Sequence, residues 1–235
     1  MPSKTSPKDI EVSDDGSLLY FIEGLANNFA VYTVNENKYL IKTKLPPNPT
    51  NFTFLKDAQL IAITCPGENE VIFLDSNNFA PHGLLKIEGG PEKILSDSGR
   101  MVIYVADRYK NKISIINAET QKIQTTIDVG ETPVSLALHP GGKWLYVGNG
   151  KTNTINIIDL ETNQITDTIN LPVETQFPGD IILTPDSKWL IATSETTNVV
   201  SIIDISLKKV VLKLDIGATS HTAYILDNED DKLKP

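Results

Sequence analysis

The chain has 235 residues, 40% hydrophobic and 22% charged, enough for one large all-β domain or two small ones with a substantial core. Its formal charge of −9 repels phosphate backbones and no basic stripe offsets it, which excludes nucleic acid as a partner. A single cysteine, Cys65, rules out an internal disulfide, and no run approaches the roughly 18 to 20 apolar residues of a membrane-spanning helix.

The chain opens on a polar stretch, Met1 to Lys8, without the apolar segment of a signal peptide. Five units then follow, each reading as four short strands. The first has an alternating strand Asp9–Val12, the turn Asp14-Asp15-Gly16, a near-continuous apolar strand Leu18–Ile22 and a polar loop with Asn28. In the second, Leu60–Thr64 is the apolar strand and Asn69 marks the loop; in the third, Val102–Ala106 and Asn111 do so. The fourth is the clearest: Val134–Leu138, the turn Pro140-Gly141-Gly142, Trp144–Val147, Asn153, Ile155–Ile158 and a polar fourth strand Gln164–Leu171. The fifth runs through Thr184–Lys188, Trp189–Ala192, Asn198 and Val200–Ile203. Short β-branched strands bounded by turn residues, with no helical period, are an all-β signature.

Three landmarks keep one register. Prolines recur at Pro7, Pro49, Pro91, Pro133 and Pro178, 42, 42, 42 and 45 residues apart. The loop asparagines Asn28, Asn69, Asn111, Asn153 and Asn198 follow, and then Asn35, Asp75, Asn117, Asp159 and Asp204 close the third strands. A four-stranded repeat of 40 to 45 residues is the period of a β-propeller blade. The apolar second strand and the polar fourth match inner and outer positions in such a blade. The reading is therefore a single propeller domain over 1–235, with antiparallel four-stranded repeats at 6–47, 48–89, 90–130, 131–172 and 173–218. A sixth begins at 219–235, where His221–Leu226 reads as its first strand, and the acidic Asp227–Asp231 is expected to be a solvated end.

The segments Tyr146-Val147-Gly148-Asn149, Asn153-Thr154-Ile155 and Tyr104-Val105-Ala106-Asp107 resemble the YVTN β-propeller repeat of surface-layer-like proteins. The resemblance covers nearly the whole chain, though Tyr20–Glu23 and Ala62–Cys65 match by pattern and not by letters. It implies a ring that usually closes with seven blades, so the sequence is expected to be a fragment, or five blades that close with a spare strand, or a ring that a second chain completes. Self-association is expected if the ring is incomplete, because unpaired blade faces are apolar. A complete chain is expected in the cytoplasm; for a fragment, the resemblance implies an extracellular or periplasmic location.

No catalytic residue, metal ligand or cofactor is assigned from the sequence. His82, His139 and His221 fall in different blades or on different rims, and Cys65 has no local base. A residue shared by every blade serves the blade, so the recurring asparagines are expected to turn the backbone. Function should instead break the repeat. The loop Asp107–Lys110 and the three-residue insertion near Val173–Phe177 do so on one rim, making Arg108, Tyr109 and Phe177 the candidate contact surface. The expected function is a non-catalytic scaffold that binds a protein or cell-surface partner. The alternative is a propeller enzyme or enzyme subunit, lactonase-like or dehydrogenase-associated, whose site lies partly outside this chain.

Overall fold

A computed structural model describes residues 7–217. The expected sixth strand, His221 and the acidic tail lie outside the described residues. Twenty strands form five antiparallel four-stranded sheets, the blades of a β-propeller. Blade one comprises β1 (Pro7–Val12), β2 (Leu18–Glu23), β3 (Asn28–Thr33) and β4 (Lys38–Lys44). Blade two comprises β5 (Phe52–Leu55), β6 (Leu60–Cys65), β7 (Glu70–Asp75) and β8 (Pro81–Lys86). Blade three comprises β9 (Pro91–Asp97), β10 (Val102–Asp107), β11 (Lys112–Asn117) and β12 (Lys122–Asp128). Blade four comprises β13 (Pro133–Leu138), β14 (Trp144–Asn149), β15 (Thr154–Asp159) and β16 (Gln164–Asn170). Blade five comprises β17 (Pro178–Leu183), β18 (Trp189–Ser194), β19 (Val199–Asp204) and β20 (Lys209–Asp215).

Each sheet runs in sequence order from an inner to an outer strand. In blades two and three the second strand is the most buried, every residue of β6 and β10 being buried, whereas the outer strands β4 and β12 are mostly exposed. A second strand reads as a continuous apolar run because both its faces are covered by neighbouring blades, while the outermost strand alternates against water. Four separate cores result, one between each consecutive pair of blades. Phe29, Val31, Phe52 and Leu74 join blades one and two, and Ile94, Ile103, Phe73 and Ala62 join two and three. Tyr104, Ile115, Leu136 and Val147 join three and four, and Tyr146, Ile157, Leu190 and Ile203 join four and five.

The 1–2 turns use their own side chains. Gly16 has φ 70°, and Asp15 accepts from the Ser13 hydroxyl at 2.6 Å and from the Ser17 amide at 3.0 Å. Those bonds draw the Asp15 carboxyl down to about 2. His139 fills the same turn of blade four, its Nδ1 accepting from the Gly141 amide at 3.0 Å. His82 lies within β8 and is exposed.

Candidate functional site

One rim carries the 2–3 loops and the 4–1 linkers, and a repeated device joins them. Asn27, Asn69, Asn111 and Asn153 are left-handed, with φ between 50° and 56°. The first of these corrects the landmark Asn28, which opens β3; the turning residue is Asn27, restoring a strict spacing of 42. Asn198 keeps the backbone bond, accepting at its carbonyl from Ile216, but not the left-handed φ. The Oδ1 atoms of Asn27, Asn69 and Asn111 accept from the amides of Asn48, Gly90 and Thr132 at 2.9, 3.0 and 2.9 Å. Those three, with Phe177, immediately precede the blade-opening prolines and are themselves left-handed, at φ 60°, 65°, 61° and 56°. Asparagine and glycine adopt this conformation readily, whereas the β-branched Thr132 and the bulky aromatic Phe177 are outliers there, each carrying of order 1–2 kcal/mol of strain.

Blade five's entry departs from the pattern. The insertion leaves Asn153 Oδ1 without a partner, and its amide donates instead to the Leu171 and Pro172 carbonyls at 3.1 and 3.2 Å. The inserted segment is nonetheless pinned. Thr175 is fully buried against the Ser201 hydroxyl at 2.6 Å, and Thr196 and Thr197 donate to the Gln176 and Glu174 carbonyls at 3.1 and 2.5 Å.

Arg108, Tyr109 and Phe177 come together on this rim from two blades. The Arg108 guanidinium carbon lies 6.0 Å from the Tyr109 ring centre and 5.9 Å from that of Phe177, and Nη1 is 3.5 Å from Glu92 Oε2. Each ring rests on a glycine. A Cβ on Gly90 would come within 2.5 Å of the Tyr109 ring, and one on Gly150 within 2.6 Å of the Phe177 ring. Tyr109 is 73% exposed and Phe177 half-buried. A guanidinium between two aromatic faces, with neither ring in the core, is an arrangement suited to recognition.

Beneath this loop each blade ends its second strand with a buried group: Glu23, Cys65, Asp107, Asn149 and Ser194. Glu23 is satisfied by Asn28, Tyr39 and Lys42, whose bonds outweigh burial and hold its carboxyl below the usual range. Burial, with Glu70 nearby, pushes the Cys65 thiol up to about 12, so it is no nucleophile at neutral pH. Asp107 accepts from Ser114 at 2.6 Å through Oδ2, while Oδ1 has no partner; burial pushes this carboxyl up to about 6 against the pull of Ser114 and Lys112.

Sequence reasoning missed the central channel. The second residue after each blade-opening proline is polar: Asp9, Asn51, Lys93, Ser135 and Asp180. Asp9 accepts from the Phe52 amide at 2.9 Å and from the Asn51 side chain, and Asn51 accepts from the Ile94 amide at 3.1 Å. Ser135 donates to the Pro178 carbonyl at 2.9 Å. These bonds lace successive blades around a cavity of about 550 Å³ lined by the innermost strands β1, β9, β13 and β17 and by Asn51, which immediately precedes β5. Glu11 also lines it; water reaches this carboxyl, yet its crowded surroundings and then Asp9 push it up to about 7 against Lys93 and Lys56. Among the described residues no three His, Cys, Asp or Glu side chains converge to hold a metal ion. No helix among them is long and apolar enough to cross a membrane.

A family model described as "Lactonase, 7-bladed beta-propeller" matches residues 136–221, the body of blades four and five. No curated protein matches the chain. Among solved structures, "Kuenenia stuttgartiensis Hydrazine Synthase" superposes with a TM-score of 0.81 over 92% of this chain and 68% of that one, at 18% identity. At that identity the likeness is one of fold, and one fold hosts many functions.

Proposed function

We propose that the chain is a non-catalytic propeller scaffold of YVTN-repeat type, binding a protein or cell-surface partner through the rim around Arg108, Tyr109 and Phe177. The observation that carries this reading is the left-handed Phe177. Its backbone position is filled by Asn48, Gly90 and Thr132 in the other blades, so the aromatic is retained against a local conformational cost. Strain kept at a surface aromatic supports a role outside the fold.

A photo-crosslinking residue at position 109 should capture one partner from the source cells, and the same residue at position 143, on the opposite rim, should not. Capture only from 143 overturns the reading. Phe177→Gly should change stability by no more than about 1 kcal/mol, because relieved strain offsets the lost half-buried ring. Gly150→Ala is the companion variant: its new methyl should displace the Phe177 ring and weaken capture without altering the Phe177 backbone.

The channel motivates a second reading, a propeller enzyme or enzyme subunit, because Glu11 is poised near neutral pH beside Asp9 and Lys93 in a cavity. The lactonase-type match lends it some support, although residues 136–221 include neither Glu11 nor Asp9. Turnover of a lactone that rises with pH through about 7 and disappears in Glu11→Gln would favour this reading over the scaffold.

A further inference from the structure

Blade one departs from the other blades at one position of its innermost strand. Glu11 stands opposite Tyr20 in the β1–β2 ladder, so both side chains lie on the face that packs against blade two. The equivalent pairs are Thr53 with Ala62, Leu95 with Tyr104, Ala137 with Tyr146 and Ile182 with Ile191. Glu11 is the one charged residue in that series.

At the other three interfaces this space is closed. Thr53 donates to the Ser96 hydroxyl at 3.0 Å between blades two and three. Leu95 and Leu138 pack into the core between three and four, and Ala137 and Leu183 into that between four and five. Between blades one and two a pocket of about 260 Å³ remains, walled by Tyr20 and Phe54 with Glu11 beside them. The two rings meet edge to face, their centres 4.8 Å apart, and both are half-buried. Asp14 and Lys56 also line the pocket, their charges 2.7 Å apart and both side chains largely exposed. Among the described residues no hydrogen-bond donor reaches the Glu11 carboxylate.

We propose that this pocket binds a small organic ammonium ion, its charge against the Glu11 carboxylate and its carbon groups over Tyr20 and Phe54. Aromatic faces attract a cation, and more strongly once it has shed water. Two carboxylates against one lysine leave the pocket net negative, which disfavours an anion. A neutral apolar ligand would cover the Glu11 carboxylate without pairing it. The site lies between two described blades and depends on neither reading of function above.

The test is titration of the full 235-residue chain with choline and, separately, with dimethylbutanol, its uncharged carbon isostere, followed by NMR shifts in blades one and two. Choline should bind at least about tenfold more tightly than the alcohol. Glu11→Gln keeps the size of the side chain and should abolish that preference. Lys56→Gln should tighten choline binding about two- to threefold by removing the competing cation, an effect that misfolding cannot imitate. Crowding and then Asp9 push the Glu11 carboxyl up to about 7 against Lys93 and Lys56, and Asp14 shares the pocket. Choline affinity should therefore rise as pH climbs through about 7 and stay level in Glu11→Gln. Circular dichroism should show both variants folded as the unaltered chain is. Equal affinity for choline and the alcohol overturns the proposal, as does a charge preference that survives Glu11→Gln. Shifts confined to other blades, or none at any choline concentration, overturn it equally.

Discussion

Phe29→Ala is expected to lose about 3–5 kcal/mol of stability, the largest single effect foreseen for this chain. Phe29 is fully buried in the core between blades one and two, its ring 5.2 Å from that of Phe52 in an edge-to-face contact and 6.3 Å from that of Phe79. Among the described residues blade one shares a core with blade two alone, so the cavity left behind falls on its one described core. The loss should therefore be concentrated in blade one. Hydrogen exchange should show β1 to β4 opening before β13 to β16, with urea unfolding giving the magnitude. A loss below about 1 kcal/mol would mean that this core is not the one that holds blade one.

Asp107→Asn should stabilise the protein at neutral pH. In the folded chain the Asp107 carboxyl is raised from 3.8 to about 6 by burial, so the native state holds its proton where the unfolded chain has released it. A raised acid has its full stability below the unfolded value and loses it as pH climbs through about 6. Holding the carboxyl that far above its ordinary value costs about 3 kcal/mol by pH 7. Asparagine stays neutral, can accept from Ser114, and places an NH₂ where Oδ1 lacks a partner. In blade four the Asn149 amide donates to Asn156 Oδ1 at 2.8 Å and to the Val147 and Thr154 carbonyls at 3.3 and 3.4 Å, so an amide NH₂ at this position finds acceptors. We expect a gain of about 2 kcal/mol at pH 7, roughly 4–8 °C in Tm, shrinking to nothing below about pH 4. Melting curves across that range check it; a difference that is the same at pH 4 and pH 7 would show that charge is not its cause.

Most of the blade plan could be read from the letters, because turns and doubly buried strands impose strict residue types. Pro140-Gly141-Gly142 and the apolar run Trp144–Val147 admit few other readings. The first asparagine landmark slipped by one residue because Asn27 and Asn28 are adjacent and only the backbone conformation separates them. The rim residues were legible as breaks in the repeat, yet their convergence was not, since Arg108 and Phe177 are 69 positions apart and meet only once the blades are in place. The channel ring was invisible for a related reason. Asp9 and Asn51 act on amides 43 residues away, so within its own strand each is one more polar residue. Its one available signal was a polar side chain at a fixed offset of two from every blade-opening proline. The raised Asp107 carboxyl was likewise hidden, because its burial comes from neighbouring blades rather than from its own segment.

The scaffold reading rests on Phe177 being displayed for a partner rather than packed for the fold. The most direct test is the affinity of the purified partner captured at position 109 for the unaltered chain and for Phe177→Gly. We predict at least a roughly tenfold loss of affinity, the effect of removing an aromatic anchor from a contact surface. Equal affinity in the two proteins would contradict the account.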